Sequence, residues 1–183
     1  MNVFLFSSPA KPKKMNEKRI PDEGFINVEG GNVWYKIVGP DKKKTPILLL
    51  HGGPGASSHY LAPLEKLASD RPVIFYDQLG GGRSDRPDDR SLWKISRFVR
   101  ELQTLRDELG LDKIHLFGHS AGTMLAAEYL ATNPKGIETI IFAGPVISTK
   151  KYLEDCNKLK LQLPAPIRDT LFLSLTRFSP FVL

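Results

Sequence analysis

The sequence predicts an α/β domain: a mostly parallel sheet flanked by helices. Three observations carry that reading. Short apolar runs such as Ile47-Leu48-Leu49-Leu50 and Val73-Ile74-Phe75-Tyr76 suit strands buried on both faces. Amphipathic stretches of helical spacing separate the later runs, the alternation that right-handed crossovers produce. The chain has 183 residues, 41% hydrophobic and 25% charged, which suits one globular domain with a real core. Collagen-like, coiled-coil and disulfide-stapled architectures are excluded. So is a spanning helix, because no apolar run approaches the ~20 residues it needs.

Each element follows from local pattern. Residues 24–28 and 33–38 read as two short strands about the turn Glu29-Gly30-Gly31-Asn32. Residues 46–50 are a buried strand, followed by the loop His51-Gly52-Gly53-Pro54-Gly55. Residues 57–69 have helical periodicity through Leu61, Leu64 and Leu67. Residues 72–76 are the next strand, and 77–87 a Gly-rich loop. Ser91 is positioned to cap a helix bearing Leu92, Ile95, Phe98, Val99, Leu102, Leu105 and Leu109, a spacing of three and four. Gly110 stops it. A strand over 113–117, a helix rich in small residues over 120–132 and a strand over 139–143 follow. Residues 149–163 form an amphipathic helix with Tyr152, Cys156, Leu159 and Leu163 on one side. Pro164 and Pro166 break it before a second helix over 167–178. The resulting organisation is a disordered basic tail (1–19), a core (20–147) and a helical extension (148–183). Met1 and Met15 both stand as candidate starts.

The net charge of +6 sits at the ends. Residues 1–20 carry five cations against one anion, and 149–183 six against three. The body between them is nearly neutral, without the basic, aromatic-interleaved stripe of a nucleic-acid binder. Lys42-Lys43-Lys44 reads as a solvated turn. Cys156 is alone, which suits a reducing compartment, and a cytoplasmic location is expected. The apolar start Met1–Phe6 is too short for the ~7–15-residue core of a signal peptide. No membrane association is expected.

Chemistry concentrates in three loops. Gly118-His119-Ser120-Ala121-Gly122 lies between a strand and a helix, where G-x-S-x-G makes a tight turn that projects a nucleophilic serine. The helix N-terminus adds N–H groups where an oxyanion would form. His51–Gly55 is rich enough in glycine for its backbone to approach a substrate carbonyl. The N–H of Gly53 joins that of Ala121 as the expected oxyanion hole, and Gly52, Pro54 and Gly55 are expected to line the substrate site. Asp77 is read as ordering its own loop through Asx-type hydrogen bonds rather than as a catalytic acid, and Arg83 and Asp85 as tying that loop together. No metal or cofactor is expected, since the histidines lack ligand spacing.

At these motifs the chain resembles the α/β-hydrolase fold, and more closely the proline iminopeptidase (prolyl aminopeptidase) family of serine peptidases. Ala143-Gly144-Pro145-Val146, leading into Tyr152-Leu153-Glu154-Asp155, resembles that family's approach to its helical cap. The resemblance covers about residues 20–170. It implies release of an N-terminal residue, preferably proline, from a peptide with a free N-terminus through an acyl-enzyme on Ser120. Ala121 departs from it, since the family usually places an aromatic residue, often Trp, after the nucleophile.

The resemblance also implies two further strands, an acid and a base after the cap, and the chain is therefore expected to be a truncated form, cut after about six strands. Of its own histidines, His119 points away from Ser120 on strand geometry. His51 is expected to organise its loop and His115 to be a satisfied core residue. His59 is the one candidate base. Without a base the serine is a poor nucleophile. Glu154 and Asp155 are expected to face water. The strand over 139–143 would be left as an unpaired edge, with low stability unless a second chain completes the fold. The alternatives to a peptidase are a general esterase or amidase, and a non-catalytic truncated or split fragment. Ser120 disfavours epoxide-hydrolase or dehalogenase chemistry, which uses a carboxylate nucleophile.

Overall fold

The computed structural model describes residues 21–41, 43–146 and 148–170. The expected tail, Lys42 and most of the expected helix over 167–178 lie outside them. Residues 165–170 are helical.

Alternating apolar and polar residues, closed by Gly30 at φ 99°, make the hairpin of β1 (Glu23–Val28) and β2 (Gly31–Val38). The all-buried runs become β3 (Ile47–Leu50) and β4 (Val73–Tyr76). The strand β5 (Ile114–His119) leads into α2 (Ala121–Ala131), which follows α1 (Ile95–Glu108) in the chain. Finally β6 (Ile137–Ala143) leads towards α3 (Thr149–Leu161). The six strands form one sheet in the order β1-β2-β4-β3-β5-β6, in which β1, β2 and β4 pair antiparallel and β4, β3, β5 and β6 parallel. The ends of β3, β4 and β5 bring the three Gly-rich loops to one sheet edge.

Strand alternation divides the core between two faces. Leu48, Leu50, Ile74, Tyr76 and Leu116 pack with Leu102 and Leu105 of α1 and Leu125 and Tyr129 of α2. On the other face, Trp34, Leu49, Val73 and Phe75 pack with Leu61.

Two local expectations are corrected. Residues Ser58–Ser69 form a 3₁₀ segment rather than an α-helix, capped by Ser57, whose Oγ accepts from the His59 N–H at 3.4 Å. Its interior Pro63 cannot donate an intrahelical bond, which works against a regular α-helix. Ser91 does not cap α1. It lies in a separate 3₁₀ turn, Arg90–Leu92, capped by Asp89, and α1 starts after Lys94.

Among the described residues, β6 pairs only with β5. Its Ile141 and Phe142 are 46% and 39% exposed. Such an edge is a template for further pairing. Ile141→Lys is expected to reduce self-association, read by light scattering, and to change stability by less than about 0.5 kcal/mol. Unchanged association would place the sticky surface elsewhere. On α3 and just beyond it, Tyr152, Leu159, Leu161 and Ile167 are more than half exposed. Glu154 is exposed, whereas Asp155 is half-buried and lies 3.6 Å from Lys151 and 3.5 Å from Lys158.

Candidate active site

The turn from β5 into α2 forces Ser120 to φ 52° and ψ −122°, a left-handed conformation that L-residues rarely adopt. Cradling hydrogen bonds hold it there. The Ser120 N–H donates to Ala143 O at 3.0 Å, while Ser120 O accepts from Thr123 N at 2.9 Å and Thr123 Oγ1 at 2.6 Å. Thr123 Oγ1 also accepts from Val146 N at 2.9 Å, joining the turn to the segment after β6. The glycine after the serine has a packing reason. A Cβ on Gly122 would lie 2.2 Å from Leu50 O, so only glycine lets α2 meet the end of β3.

The loop after β3 lies against that serine. A Cβ on Gly52 would sit 3.0 Å from Ser120 Cβ and 3.2 Å from His119 O. Gly52 is buried, whereas Gly53, Pro54 and Gly55 are exposed, and the Gly53–Pro54 peptide is cis. Ala121 opens α2, so its N–H belongs to the first turn, whose donors have no intrahelical acceptor. The Gly53 N–H likewise meets no acceptor among the described residues. The N–H of Ala121, next to Ser120 in the chain, and that of Gly53, on the loop that Gly52 brings against Ser120, are therefore both unspent.

His51 is a tether between loops, as expected. Its buried Nε2 accepts from Gln78 N at 2.9 Å, and its carbonyl accepts from Gln78 Nε2 at 2.9 Å. Nδ1 lies 2.6 Å from Gly52 O and donates to it once Nε2 accepts. Burial holds its pKa below the ordinary value, because the charged ring would lose water. A histidine depressed in the folded state contributes stability above its unfolded pKa of about 6.5 and loses it as pH falls through the folded value. Urea midpoints are expected to fall between about pH 7.5 and pH 5.5, with a flatter slope in His51→Gln. An identical slope would show that His51 does not titrate with unfolding.

Asp77 orders its surroundings. Oδ1 accepts from Ser58 N at 2.6 Å and Ser58 Oγ at 2.8 Å, and Oδ2 from Arg83 N at 2.9 Å. Arg83 and Asp85 do more than close their own loop. The Arg83 guanidinium stacks 4.2 Å from the Trp34 ring centroid, and Asp85 Oδ2 accepts from Asn32 N at 2.7 Å. Both anchor the loop to the β1–β2 hairpin.

His115 departs from expectation. It is half-buried rather than in the core, with Nδ1 2.7 Å from Thr139 Oγ1 and Nε2 3.7 Å from Glu138. The buried apolar cluster on that face is built from β2, β3, β4 and Leu61, with Phe117 of β5 packed against it. His59 is exposed. His119 turns its Nδ1 to Tyr60 Oη at 2.8 Å. Among the described residues, none of the hydrogen bonds made by histidine rings goes to Ser120. Tyr60, Gln78 and Thr123 are site residues that motif reading misses.

Among the described residues, no group of three or more His, Cys, Asp or Glu is placed to hold a metal ion, and no helix is long and apolar enough to cross a membrane.

Comparison with known proteins bears on the fold and the family. A family model described as alpha/beta hydrolase fold matches residues 45–179. A proline iminopeptidase of Heyndrickxia coagulans is 46% identical over 149 residues, covering 81% of this chain and 52% of the relative. One from Lactobacillus acidophilus is 42% identical over 146 residues, covering 78% and 50%. Among solved structures, VinJ superposes with TM-score 0.78 at 32% identity, covering 85% of this chain and 54% of its own. A proline iminopeptidase of Mycobacterium smegmatis gives TM-score 0.74 at 30% identity, covering 86% and 56%. The chain spans about half the length of the curated relatives it matches.

Proposed function

The chain belongs to the α/β-hydrolase fold family, and from that premise we propose that it is a serine hydrolase of proline iminopeptidase type. The observation that carries the proposal is the close approach of the glycine loop at Gly52 to a strained Ser120, which leaves little room for a side chain between them. The names of the relatives carry the choice of substrate: a peptide with a free N-terminus, preferably proline.

In this reading Ser120 Oγ attacks the carbonyl carbon of the N-terminal residue. Its proton passes to a general base and then to the leaving amine. The N–H groups of Gly53 and Ala121 stabilise the tetrahedral oxyanion, a role in which one donor is typically worth about 10²–10³ in rate. Water then hydrolyses the acyl-enzyme, regenerating Ser120. The base is assigned to further polypeptide, in a second chain or a longer form of this one, because the histidine rings at positions 51, 115 and 119 have partners other than Ser120, and the ring of the exposed His59 makes no hydrogen bond to Ser120 among the described residues. Gly52, Pro54 and Gly55 form the near wall of the substrate site. Ala121 leaves that wall more open than an aromatic residue would.

The test is labelling of the purified chain with a fluorophosphonate probe, followed by assay of proline release from a prolyl peptide and of a simple ester. Labelling at Ser120 with proline release supports the proposal. Labelling with ester cleavage alone moves the chain to the general esterase class. A folded chain that stays unlabelled, alone and with added polypeptide, is non-catalytic.

A further inference from the structure

We propose that Tyr60 and His119 form a positioning pair that holds the loop His51–Gly55 against Ser120. Three elements meet at one hydroxyl. Tyr60, on the 3₁₀ segment, accepts the Gly52 N–H at 2.6 Å, and the same oxygen lies 2.8 Å from His119 Nδ1. The two rings meet edge to face, with centroids 5.2 Å apart. A Cβ on Gly52 would lie 3.2 Å from that hydroxyl and 3.0 Å from Ser120 Cβ, so the hydroxyl, the loop and the serine adjoin one another.

A hydroxyl has one proton to give. With Gly52 N–H donating to Tyr60, the Tyr60 proton remains available for His119 Nδ1, and in the proposed pair Tyr60 donates to that nitrogen while the ring proton sits on Nε2. The opposite face of the same glycine is also tied, because Gly52 O lies 2.6 Å from His51 Nδ1. Both polar groups of Gly52 are therefore spent on side chains. The next N–H, that of Gly53, is the free one. The pair does not touch substrate. It acts through Gly52 by setting where the Gly53 donor sits relative to Ser120, and tenths of an ångström matter for an oxyanion donor. The positioning role rests on the reading of Gly53 as such a donor, while the hydrogen-bond relay itself does not.

The residue before the nucleophile thus has a reason to be a histidine. It presents a ring acceptor to the 3₁₀ segment, which an apolar residue would not.

The experiment uses the full chain labelled with ¹⁵N at glycine and histidine, as wild type, Tyr60→Phe, His119→Gln and His119→Phe. The wild-type His119 spectrum is expected to show an unprotonated, hydrogen-bonded Nδ1 and a protonated Nε2. In Tyr60→Phe, which keeps the ring, Gly52 amide exchange is expected to quicken by about fivefold or more, as for loss of one hydrogen bond. The Gly53 resonance is expected to shift with it. His119→Gln keeps an acceptor for Tyr60 and is expected to preserve Gly52 protection, whereas His119→Phe, with similar bulk, is expected to lose it. A wild-type Nδ1–H tautomer, or Gly52 exchange unchanged in Tyr60→Phe, overturns the pair. Equal protection in the two His119 variants reduces His119 to packing and also overturns it. Fluorophosphonate labelling is read in parallel on the same samples. A folded wild type that never labels, alone and with added polypeptide, sinks the hydrolase reading while the amide data still decide the relay.

Discussion

Replacing Ser120 by alanine is expected to abolish fluorophosphonate labelling, and to lower turnover in any assembled active form by about 10⁴-fold or more. Replacing it by glycine is expected to do the same and also to stabilise the fold. The two variants separate reactivity from strain. At φ 52° and ψ −122°, Ser120 occupies a backbone region that costs a residue with a Cβ about 1–3 kcal/mol. Alanine keeps that cost. Glycine removes it, offset by about 0.5–1 kcal/mol of extra chain entropy lost on folding. The net expectation is a gain of about 1 kcal/mol for Ser120→Gly over Ser120→Ala, read from urea midpoints. The hydroxyl makes no capping bond to α2, so its loss leaves no structural debt. Labelling that survives in Ser120→Ala would move the nucleophile elsewhere. Glycine less stable than alanine would show that the turn stores no strain.

Arg97→Ala is expected to destabilise the fold by about 3–5 kcal/mol, a large share of the 5–15 kcal/mol typical of a domain. Arg97 and Glu101 lie one turn apart on α1, with side chains 1% and 0% exposed and 2.6 Å between charged atoms. The carboxylate also faces the Leu79 N–H, with both oxygens at 3.4 Å, and so ties α1 to the loop after β4. Removing the guanidinium leaves a buried carboxylate without its counter-charge. Truncating both partners together is expected to cost less than truncating Arg97 alone, because no charge is then stranded.

The loss should depend on pH with a definite sign. Burial already raises the Glu101 pKa above the ordinary carboxylate range, with Arg97 pulling against it. A carboxyl raised in the folded state contributes stability below its unfolded pKa and loses it as pH rises through the folded value. Without Arg97 the folded value rises further, so the deficit of Arg97→Ala should be larger near pH 8 than near pH 5. Urea titrations at the two pH values check it. An equal deficit at both would mean that water reaches Glu101 in the variant.

Much of the fold was legible from pattern. The runs Ile47–Leu50 and Val73–Tyr76 are buried at every position, which is why apolar continuity identified them as central strands. The beginning of α1 was misread because Leu92 falls in phase with the helix, yet the chain makes a separate 3₁₀ turn capped by Asp89. Pro63 argues against a regular α-helix over the residues after Ser57, although Leu61, Leu64 and Leu67 keep helical spacing. His115 looked like a core residue because strand membership does not reveal how far a neighbouring layer extends.

The sequence by itself determined the strand order along the chain, the Gly-rich loops and the serine turn. These depend on contacts between residues near one another, where steric rules and periodicity act directly. Only the tertiary structure decided that the Tyr60 hydroxyl meets Gly52 and His119, that His51 ties its loop to Gln78, and that Arg97 shares its burial with Tyr76 beneath the loop after β4. Those meetings join residues from separate elements, 59 positions apart for Tyr60 and His119. Hydrogen bonds of about 3 Å depend on how the layers stack, and no local pattern encodes that stacking.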